Sequence, residues 1–450
     1  MTGDRDHPVV VVGGGITGLV AALRLQQAGR EVVVHEAGDR VGGKLQASSF
    51  DGVEGVDGGA DAMLARVPWG LRLLEELDLP TVSPATGTAL VWWNDRLHPL
   101  PDGLMLGVPA GLMGLARSRL LTPIGKLRAA SEPFRPRTPA TDNLGALIRS
   151  RFGDQVAERL VDPLVGGINA GDIDHLSLSA ATPQIAPAAA NRSLLIGLQR
   201  NRPTPSPGPV FVAPRGGMGS LAHEVAGRLH DVRLNSPVTS LERDGAGWAV
   251  NGIRAGGVIL ATPAAAGATL LATLTPDIAT ALRAIRTASV VMVTLAYDRA
   301  DVRHRLDASG FLVPKPRQQH MTACSFGSSK WAHWAGTDRV VLRVSLGRFG
   351  NEAPLDFDDT RAVQTAHDEI AVALSIAGSP QATRVTRWPQ AFPQYEPGHQ
   401  SRVADIRRAS AFQLPGVVLA GASYDGIGVP ACIRQAEEAV RSITARDGHH

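Results

Sequence analysis

The sequence predicts an α/β fold, α+β overall, built on a discontinuous Rossmann-type nucleotide-binding domain with an inserted sheet domain and a helical domain. Three observations predict it. Residues 8–36 read as strand, glycine loop, helix and strand, which is a βαβ unit. Residues 416–440 read as another strand, glycine loop and helix. The 450-residue chain is also too long for one hydrophobic core, so its middle is expected to form inserted domains.

Composition and charge exclude several classes of protein. The formal net charge is +3 and no Lys/Arg cluster alternates with aromatic residues, so nucleic-acid binding is not expected. The two cysteines, Cys324 and Cys432, form neither a metal-ligand spacing nor a disulfide framework, which predicts a cytoplasmic protein without a metal site. The long charge-free stretch 255–276 is interrupted by glycine and proline and is too weakly apolar to span a membrane.

The first element, residues 8–36, has the pattern of a dinucleotide-binding unit. Gly13, Gly15 and Gly18 allow a tight turn, close approach of a pyrophosphate, and close packing of helix on strand. The helix N-terminus directs free N–H groups at the phosphates. Glu36 ends the next strand, where a carboxylate can accept both hydroxyls of an adenosine ribose and would repel a 2′-phosphate. The predicted contacts are Gly13, Gly14, Gly15, Ile16, Thr17, Gly18, Glu36 and Ala37.

The residues after Glu36 distinguish FAD from NAD. Residues 36–43 read E-A-G-D-R-V-G-G and are followed by Lys44. Arg40 is placed to reach phosphate, and the pair Gly42 and Gly43 lets the loop pass close to a cofactor. The pattern E-x-x-x-R-x-G-G after G-x-G-x-x-G resembles the amine-oxidase-like flavoprotein superfamily. This resemblance implies that the chain binds FAD.

Further segments resemble one branch of that superfamily, in order along nearly the whole chain. The branch is that of the bacterial protoporphyrinogen and coproporphyrinogen III oxidases, and the sequence is most similar to its soluble coproporphyrinogen III oxidases. The stretch 151–183 is the most characteristic. The matching segments are 55–79, 96–101, 151–183, 328–350, 387–399 and 420–440.

The layout predicts a chain that enters the nucleotide-binding domain three times. A proline-rich linker is expected within 200–209, and His449 and His450 are expected to form a tail. The expected parts are FAD-binding segments at 1–83, 207–270 and 391–450, a helical substrate-side domain at 84–206, and a substrate-binding sheet domain at 271–390.

The resemblance also implies further contacts with FAD. Gly428 precedes a helix whose N-terminus would stabilise the anionic reduced flavin. Cys432 lies within that helix, so we expect it to pack as a small apolar residue and the FAD to be non-covalent. The implied contacts are Gly59, Ala60 and Asp61 beside the flavin, Val238 through its backbone at the adenine, Trp388 near the flavin, and Ile427, Gly428 and Val429 along its ring.

By the same resemblance, the reaction is oxidation of a porphyrinogen in haem biosynthesis, with hydride passing to flavin N5. Molecular oxygen then reoxidises the flavin and is reduced to hydrogen peroxide. No catalytic side chain is expected, because pyrrole protons can leave to water. Substrate carboxylates predict cations at the mouth of the pocket, where Arg66 and then Lys330 are the candidates. Asn169 and Met63 stand where the family pattern often has tyrosine and phenylalanine, so we expect both to border the substrate.

Several alternatives stay open. A protoporphyrinogen IX oxidase would share the segments named above. An amine oxidase or a carotenoid desaturase would lack the segment 151–183, and a non-catalytic nucleotide-binding or haem-handling protein would not need the full flavin motif. Residues 100–128 fit the core of a helical domain, and a peripheral contact with a membrane surface is the alternative interpretation.

Overall fold

The computed structural model describes residues 7–135, 140–201, 208–245, 247–336 and 338–446. Its first sheet is entirely parallel and joins both ends of the chain, because the C-terminal strand lies only one strand away from the N-terminal one. The predicted discontinuous Rossmann-type fold is thereby confirmed. The spatial order of the five strands is Val232–Arg233, Val32–His35, Val9–Val12, Gly257–Leu260 and Val417–Leu419.

Both faces of this sheet are covered by other elements, as expected for short strands made almost entirely of valine, isoleucine and leucine. Alternate residues of Val9–Val12 therefore pack into opposite layers. One layer holds the helices Ile16–Gln27, Pro68–Glu76, Met218–Gly227 and Val429–Arg446. The other holds the helices Ala264–Leu270, Pro276–Arg283 and His399–Gln413 and the small sheet Leu241–Asp244, Gly247–Val250 and Ile253–Ala255.

A second sheet of seven strands forms the predicted sheet domain. All of its neighbouring strands are antiparallel except one pair, and the helix Asp359–Leu374 packs on it. The spatial order of its strands is Ala382–Pro393, Thr287–Asp298, Arg339–Leu346, Met321–Phe326, Gly310–Leu312, Leu90–Trp93 and Arg96–Pro99.

The last two strands of this sheet come from the region predicted to be helical. Leu90–Trp93 pairs in parallel with Gly310–Leu312, and the hairpin turn that follows has positive φ at Asn94 and Asp95. Two consecutive left-handed residues are typical of the type I′ turn that joins tightly paired strands. For residues 90–99 the expected helical domain was therefore wrong. The other domain boundaries stay a prediction.

The rest of the region 84–206 is mainly helical and has its own core, centred on Leu147, Phe152 and Leu160. Within it, the segment Ala157–Gly166 is a π-helix. The α-helices are Met113–Arg117, Pro123–Ala130, Leu144–Phe152, Asp154–Val156, Gly167–Asn169, Leu178–Ala181, Ala186–Ala189 and Leu194–Arg200, and Glu132–Phe134 is a 3₁₀ turn.

Short elements complete the fold. Most of the predicted linker at 200–209 and the two terminal histidines lie outside the described residues. Within the described part of the chain, no helix is long and apolar enough to cross a bilayer. The remaining strands are Ala47–Phe50, Val53–Asp57, Met63–Leu64, Thr81–Val82, Leu104–Met105, Val108–Pro109 and Phe211–Pro214; the remaining helical turns are Gly327–Lys330, Arg299–Asp301, Lys315–Arg317, Ala332–Trp334 and Ala353–Asp356.

Candidate functional site

The glycine loop between the strand Val9–Val12 and the helix Ile16–Gln27 has the geometry of a phosphate cradle. A Cβ on Gly18 would lie 1.9 Å from the carbonyl oxygen of Gly13, so helix and loop pack too closely for any side chain there. Gly13 has a φ of +106°, which an L-residue rarely adopts. At Gly15, by contrast, a Cβ would meet nothing within 4 Å. The space in front of this helix N-terminus is therefore open to a pyrophosphate.

Glu36 closes the other side of this loop. Its carboxylate accepts hydrogen bonds from the amides of Gly14 and Gly38, each at 2.7 Å. The segment after Val232–Arg233 runs alongside, where the amide of Ser236 donates to the carbonyl of Glu36 at 2.9 Å. Val238 follows and is half-buried, and its backbone N–H and C=O have no hydrogen-bond partner among the described residues. These groups are available to an adenosine beside Glu36.

The loop that contains Arg40 and Lys44 crosses the glycine loop. The amide of Gly42 donates to the carbonyl of Gly14 at 2.8 Å, and a Cβ on Gly43 would lie 3.4 Å from the Cα of Gly15. The guanidinium of Arg40 donates to the carbonyl of Gly43 at 2.8 Å. It also lies 6.0 Å from the ring centre of Trp388, so this loop meets the larger sheet.

Two helix N-termini converge at this place. The helix Val429–Arg446 begins after Gly428, whose carbonyl accepts from the amides of Ala431 and Cys432 at 2.9 and 3.0 Å. The side chains of Cys432 and Thr17 are neighbours, and the two helices pack side by side. Their aligned backbone dipoles both direct positive potential into the cleft. Ile427 and Gly428 are not buried, and a Cβ on Gly428 would meet only Pro430.

The segment 56–61 is held by side chains of the second sheet and of the helical turn Gly327–Lys330 that precedes one of its strands. Three of its carbonyl groups and one carboxylate accept hydrogen bonds from side chains, which leaves this stretch of backbone little freedom. The bonds run from Arg384 to the carbonyl of Val56 at 2.9 Å, from Trp388 Nε1 to the carbonyl of Gly58 at 2.9 Å, from Arg343 to the carbonyl of Gly59, and from Lys330 Nζ to Asp61 Oδ2 at 2.8 Å.

Asp61 is the electrostatic centre of this segment. Burial by itself would raise the pKa of its carboxyl, but Lys330 and Arg343, whose guanidinium lies 3.0 Å away, lower it to about 2. The side chains of Lys330 and Asp61 are only 18 % and 16 % exposed. Lys330 was expected as a cation for the substrate; its ammonium group pairs with Asp61, and its contact with the substrate stays a prediction.

Asp57, at the start of the same segment, is fully buried beneath the helix Met218–Gly227. Its Oδ1 accepts from the amide of Met218 at 2.8 Å. Burial raises the pKa of Asp57 to about 7, although Arg343 acts against this rise. The folded state therefore binds the proton more tightly than the unfolded state, whose carboxyl has the usual pKa of 3.8.

From this pKa we predict that Asp57 destabilises the folded protein as the pH rises from about 4 through 7. Asp57→Asn keeps an oxygen for Met218 but carries no charge, so it is expected to be more stable than the wild type at pH 8, by at most about 4 kcal/mol. At pH 5, which lies between the two pKa values, the gain should be less than half of that at pH 8. Urea midpoints at the two pH values measure this, and a variant that gains nothing at pH 8 would contradict the predicted titration.

The expected substrate residues lie in different environments. Arg66 is exposed and has no hydrogen bond or ion pair with a described residue. Asn169 is buried and donates from its amide to the carbonyl of Val165 at 2.8 Å. Met63 was expected to border the substrate, but it is buried in the main core, and a Cβ on Gly70 would lie 2.6 Å from its sulfur. Its side chain points to the helices that cover the first sheet, and its place beside the substrate stays a prediction.

Tyr395 supports the loop that precedes the helix Val429–Arg446 and was not found from the sequence. Its hydroxyl donates to the carbonyl of Ala422 at 2.6 Å and accepts from the amide of Gly426 at 2.9 Å. The ring stacks on His399, with ring centres 4.1 Å apart. The only signal available beforehand was its place in the matching segment 387–399.

Comparison with known proteins agrees with this geometry. A family model described as "Flavin containing amine oxidoreductase" matches residues 16–444. The chain belongs to this family. It is therefore an FAD-dependent oxidoreductase, and the open glycine loop, the free backbone of Val238 and the paired helix N-termini fit that cofactor.

Relatives of this oxidoreductase match over nearly their whole length. A coproporphyrinogen III oxidase of Bacillus subtilis is 34 % identical, and the alignment covers 98 % of each chain. One of Mycobacterium tuberculosis is 37 % identical, with 96 % of each chain covered. A crystal structure from Exiguobacterium sp. 255-15, provisionally named a protoporphyrinogen oxidase, superposes with a TM-score of 0.86 at 30 % identity, covering 99 % of this chain and 100 % of that chain.

We predict that this flavoprotein holds FAD without a covalent bond. Cys432, the thiol in the helix Val429–Arg446, is buried in the main core, and burial raises its pKa, which disfavours the nucleophilic thiolate. Acid precipitation should leave the yellow colour in the supernatant. A yellow pellet after washing would show that a covalent link exists.

Proposed function

We propose that this flavoprotein oxidises coproporphyrinogen III to coproporphyrin III in the haem pathway of the cytoplasm, with oxygen as the electron acceptor. The observation that carries this proposal is the match over nearly the full length of the chain to several proteins named coproporphyrinogen III oxidase, at 28–37 % identity. The reaction removes six hydrogens in three two-electron steps, so three oxygen molecules become three molecules of hydrogen peroxide.

The residues of the cleft have distinct parts in this reaction. Bound FAD supplies the electron acceptor. The two helix N-termini at Gly15 and Gly428 stabilise negative charge on the cofactor, and the clamped segment 56–61 fixes where the substrate meets it. The half-buried rings of Trp388 and Phe392 offer an apolar surface to the macrocycle. Pyrrole protons leave to water, so no side-chain base is assigned.

The test of this function is a parallel assay of coproporphyrinogen III and protoporphyrinogen IX under air. We expect the larger kcat/KM for coproporphyrinogen, with about three peroxides for each fluorescent porphyrin formed, as the stoichiometry of three two-electron steps requires. A larger constant for protoporphyrinogen would reassign the substrate but keep the enzyme class. Oxidation of amines or of carotenoid precursors, with neither porphyrinogen consumed, would refute the proposal.

Arg66→Ala is predicted to raise KM for coproporphyrinogen more than it lowers kcat. Arg66 is an exposed cation with no protein partner, and an ion pair with a substrate carboxylate remote from the reacting carbon is made equally in the ground and transition states. We expect a rise in KM of about tenfold. The exposed Arg408 is the matched control, and Arg408→Ala should leave both constants unchanged. A fall in kcat alone would contradict an ion pair between Arg66 and a substrate carboxylate.

We also propose a peripheral contact with anionic lipid at one face of the helical domain. Its exposed apolar residues Met113, Ile124, Leu127 and Phe134 are between 68 % and 85 % exposed, and no acidic residue occurs from 103 to 131. Arg117, Arg119, Lys126 and Arg135 are interspersed with them, which suits a negatively charged surface. Leu115 and Leu120 of the same stretch are buried in the domain core, as the favoured interpretation of the sequence predicted.

Sedimentation with lipid vesicles tests this contact. The FAD-loaded protein should sediment with phosphatidylglycerol vesicles and much less with phosphatidylcholine vesicles. Ile124→Ser/Leu127→Ser should reduce sedimentation without changing activity toward soluble substrate. Equal sedimentation of variant and wild type would refute this site.

A further inference from the structure

A buried ion pair joins the helical domain to the second sheet. Arg348 lies in the turn after the strand Arg339–Leu346, and its guanidinium donates to both carboxylate oxygens of Asp162 at 2.9 Å. The side chains of Arg348 and Asp162 are 7 % and 1 % exposed. Arg348 also donates to Oε1 of Gln318 at 3.0 Å, and the amide of Ile173 donates to Oδ1 of Asp162 at 3.3 Å. Both charges are thus paired at a place from which water is excluded.

Asp162 belongs to a segment with uncommon backbone geometry. The π-helix Ala157–Gly166 contains Pro163, and π-helical turns are rare and often found at functional sites. It leads into the turn 166–171, in which Ala170 has a φ of +45°. A residue with a Cβ adopts this left-handed conformation at a cost, so the surrounding contacts must hold it there.

The second sheet holds the turn 166–171 at two further points. The amide of Phe349, next to Arg348, donates to the carbonyl of Ala170 at 2.7 Å. The side-chain amide of the buried Gln394 donates to the carbonyl of Asn169 at 3.0 Å. Arg348 therefore anchors the turn together with its neighbour in sequence and with a residue from another strand end.

This turn lies one layer of side chains away from the segment 56–61. Ala170 packs with Val290 and Trp388, and the indole of Trp388 donates to the carbonyl of Gly58. Ile168, in the same turn, is 52 % exposed although it is apolar. An exposed isoleucine on an anchored turn whose Ala170 packs with aromatic rings is suited to contact with an apolar ligand.

We propose that the Asp162–Arg348 ion pair is a positioning device for the substrate. It holds the turn 166–171, with Ile168, as one wall of the cleft, and neither of its members touches the substrate. This inference rests on the proposed porphyrinogen substrate. Because the wall contacts the macrocycle in ground and transition states alike, loss of the pair should act on KM rather than on kcat.

The first test is Arg348→Lys in the FAD-loaded enzyme. Lysine keeps the charge but cannot make the two parallel hydrogen bonds. We expect KM for coproporphyrinogen to rise about tenfold or more, kcat to stay within about threefold, and the flavin content and visible spectrum to stay unchanged. Arg317→Lys is the matched control, because Arg317, in the helical turn Lys315–Arg317, forms an exposed ion pair with Asp95 of the second sheet's hairpin, and it should change neither constant. An unchanged KM, or a fall in kcat alone, overturns the proposal.

The second test asks whether the pair acts through the turn. Ile168→Ala should raise KM as well, and the double variant Ile168→Ala/Arg348→Lys should raise it by clearly less than the product of the two single effects. Independent effects that simply multiply would overturn the proposal. If Arg348→Lys does not fold, Asp162→Asn replaces it in both tests.

Hydrogen–deuterium exchange separates this inference from the proposed function. In the variant without substrate, the amides of Phe349 and Gly171 should exchange faster than in the wild type, whereas residues 56–61 should not change. If the wild type oxidised no porphyrinogen, the proposed function would be refuted. The exchange rates would still show whether the Asp162–Arg348 pair holds the turn 166–171. Unchanged exchange at both amides overturns the positioning role.

Discussion

Asp61→Ala is expected to destabilise the FAD-loaded protein by roughly 3 kcal/mol, at the lower end of the range for breaking a buried ion pair. The substitution leaves the ammonium of Lys330 and the guanidinium of Arg343 without their shared counter-charge. It also loosens the segment 56–61, because Arg343 donates to the carbonyl of Gly59 at the same time. Flavin retention should fall with stability.

The pH dependence of this effect follows from the pKa of Asp61. Since the folded-state pKa is about 2 and the usual value is 3.8, its contribution is present above about pH 4 and is lost as the pH falls through 2. The wild type should therefore lose its advantage over the variant in acid.

Urea denaturation at neutral and acid pH measures both expectations. The matched control is Asp51→Asn, because Asp51 pairs with Arg339, on the same strand as Arg343, at an exposed position. This change should cost less than about 1 kcal/mol. If both variants lost the same free energy of unfolding, the burial of Asp61 would not make its ion pairs more stabilising than an exposed pair.

Glu36→Ala is expected to raise the dissociation constant of FAD at least tenfold. Each hydrogen bond from a ribose hydroxyl to this carboxylate is worth about 1.5–3 kcal/mol. The structure adds a second reason, because Glu36 also orders the glycine loop by accepting from the amides of Gly14 and Gly38. The variant thus loses both the ribose acceptor and part of the phosphate cradle.

Titration of the apoprotein with FAD measures this effect. Glu31→Ala is the control, since Glu31 is exposed at the opposite end of the same strand and should bind FAD like the wild type. Unchanged flavin content of Glu36→Ala after dialysis would show that the adenosine site lies elsewhere.

The sequence predicted the parts of the site whose chemistry depends on local spacing. Gly13, Gly15, Gly18 and Glu36 belong to one βαβ unit, in which neighbours along the chain are also neighbours in space, so a pattern is enough to place them. The C-terminal strand could be assigned to the same sheet because a lone strand with a glycine loop and helix needs parallel partners to bury both of its faces.

Residues that act across domains could not be placed in this way. Arg343 interrupts an apolar run, Val-Val-Leu-Arg-Val-Ser-Leu, and such an arginine is equally compatible with an exposed edge position. Its partners Gly59 and Asp61 are more than 280 residues away in sequence. The burial of Met63 could not be predicted for the related reason that its two-residue strand is too short to show which face a side chain occupies.

By itself, the sequence determined the fold class and the flavoprotein family, because these depend on glycine spacing and on short apolar runs. Only the tertiary structure decided which cations are free. Lys330 and Arg66 are similar candidates in sequence, yet Lys330 forms an ion pair with Asp61, whereas Arg66 is unpaired in the described part of the chain. The physical reason is that the free energy of a charge depends on its burial and its nearest counter-charge, and both are set by long-range packing.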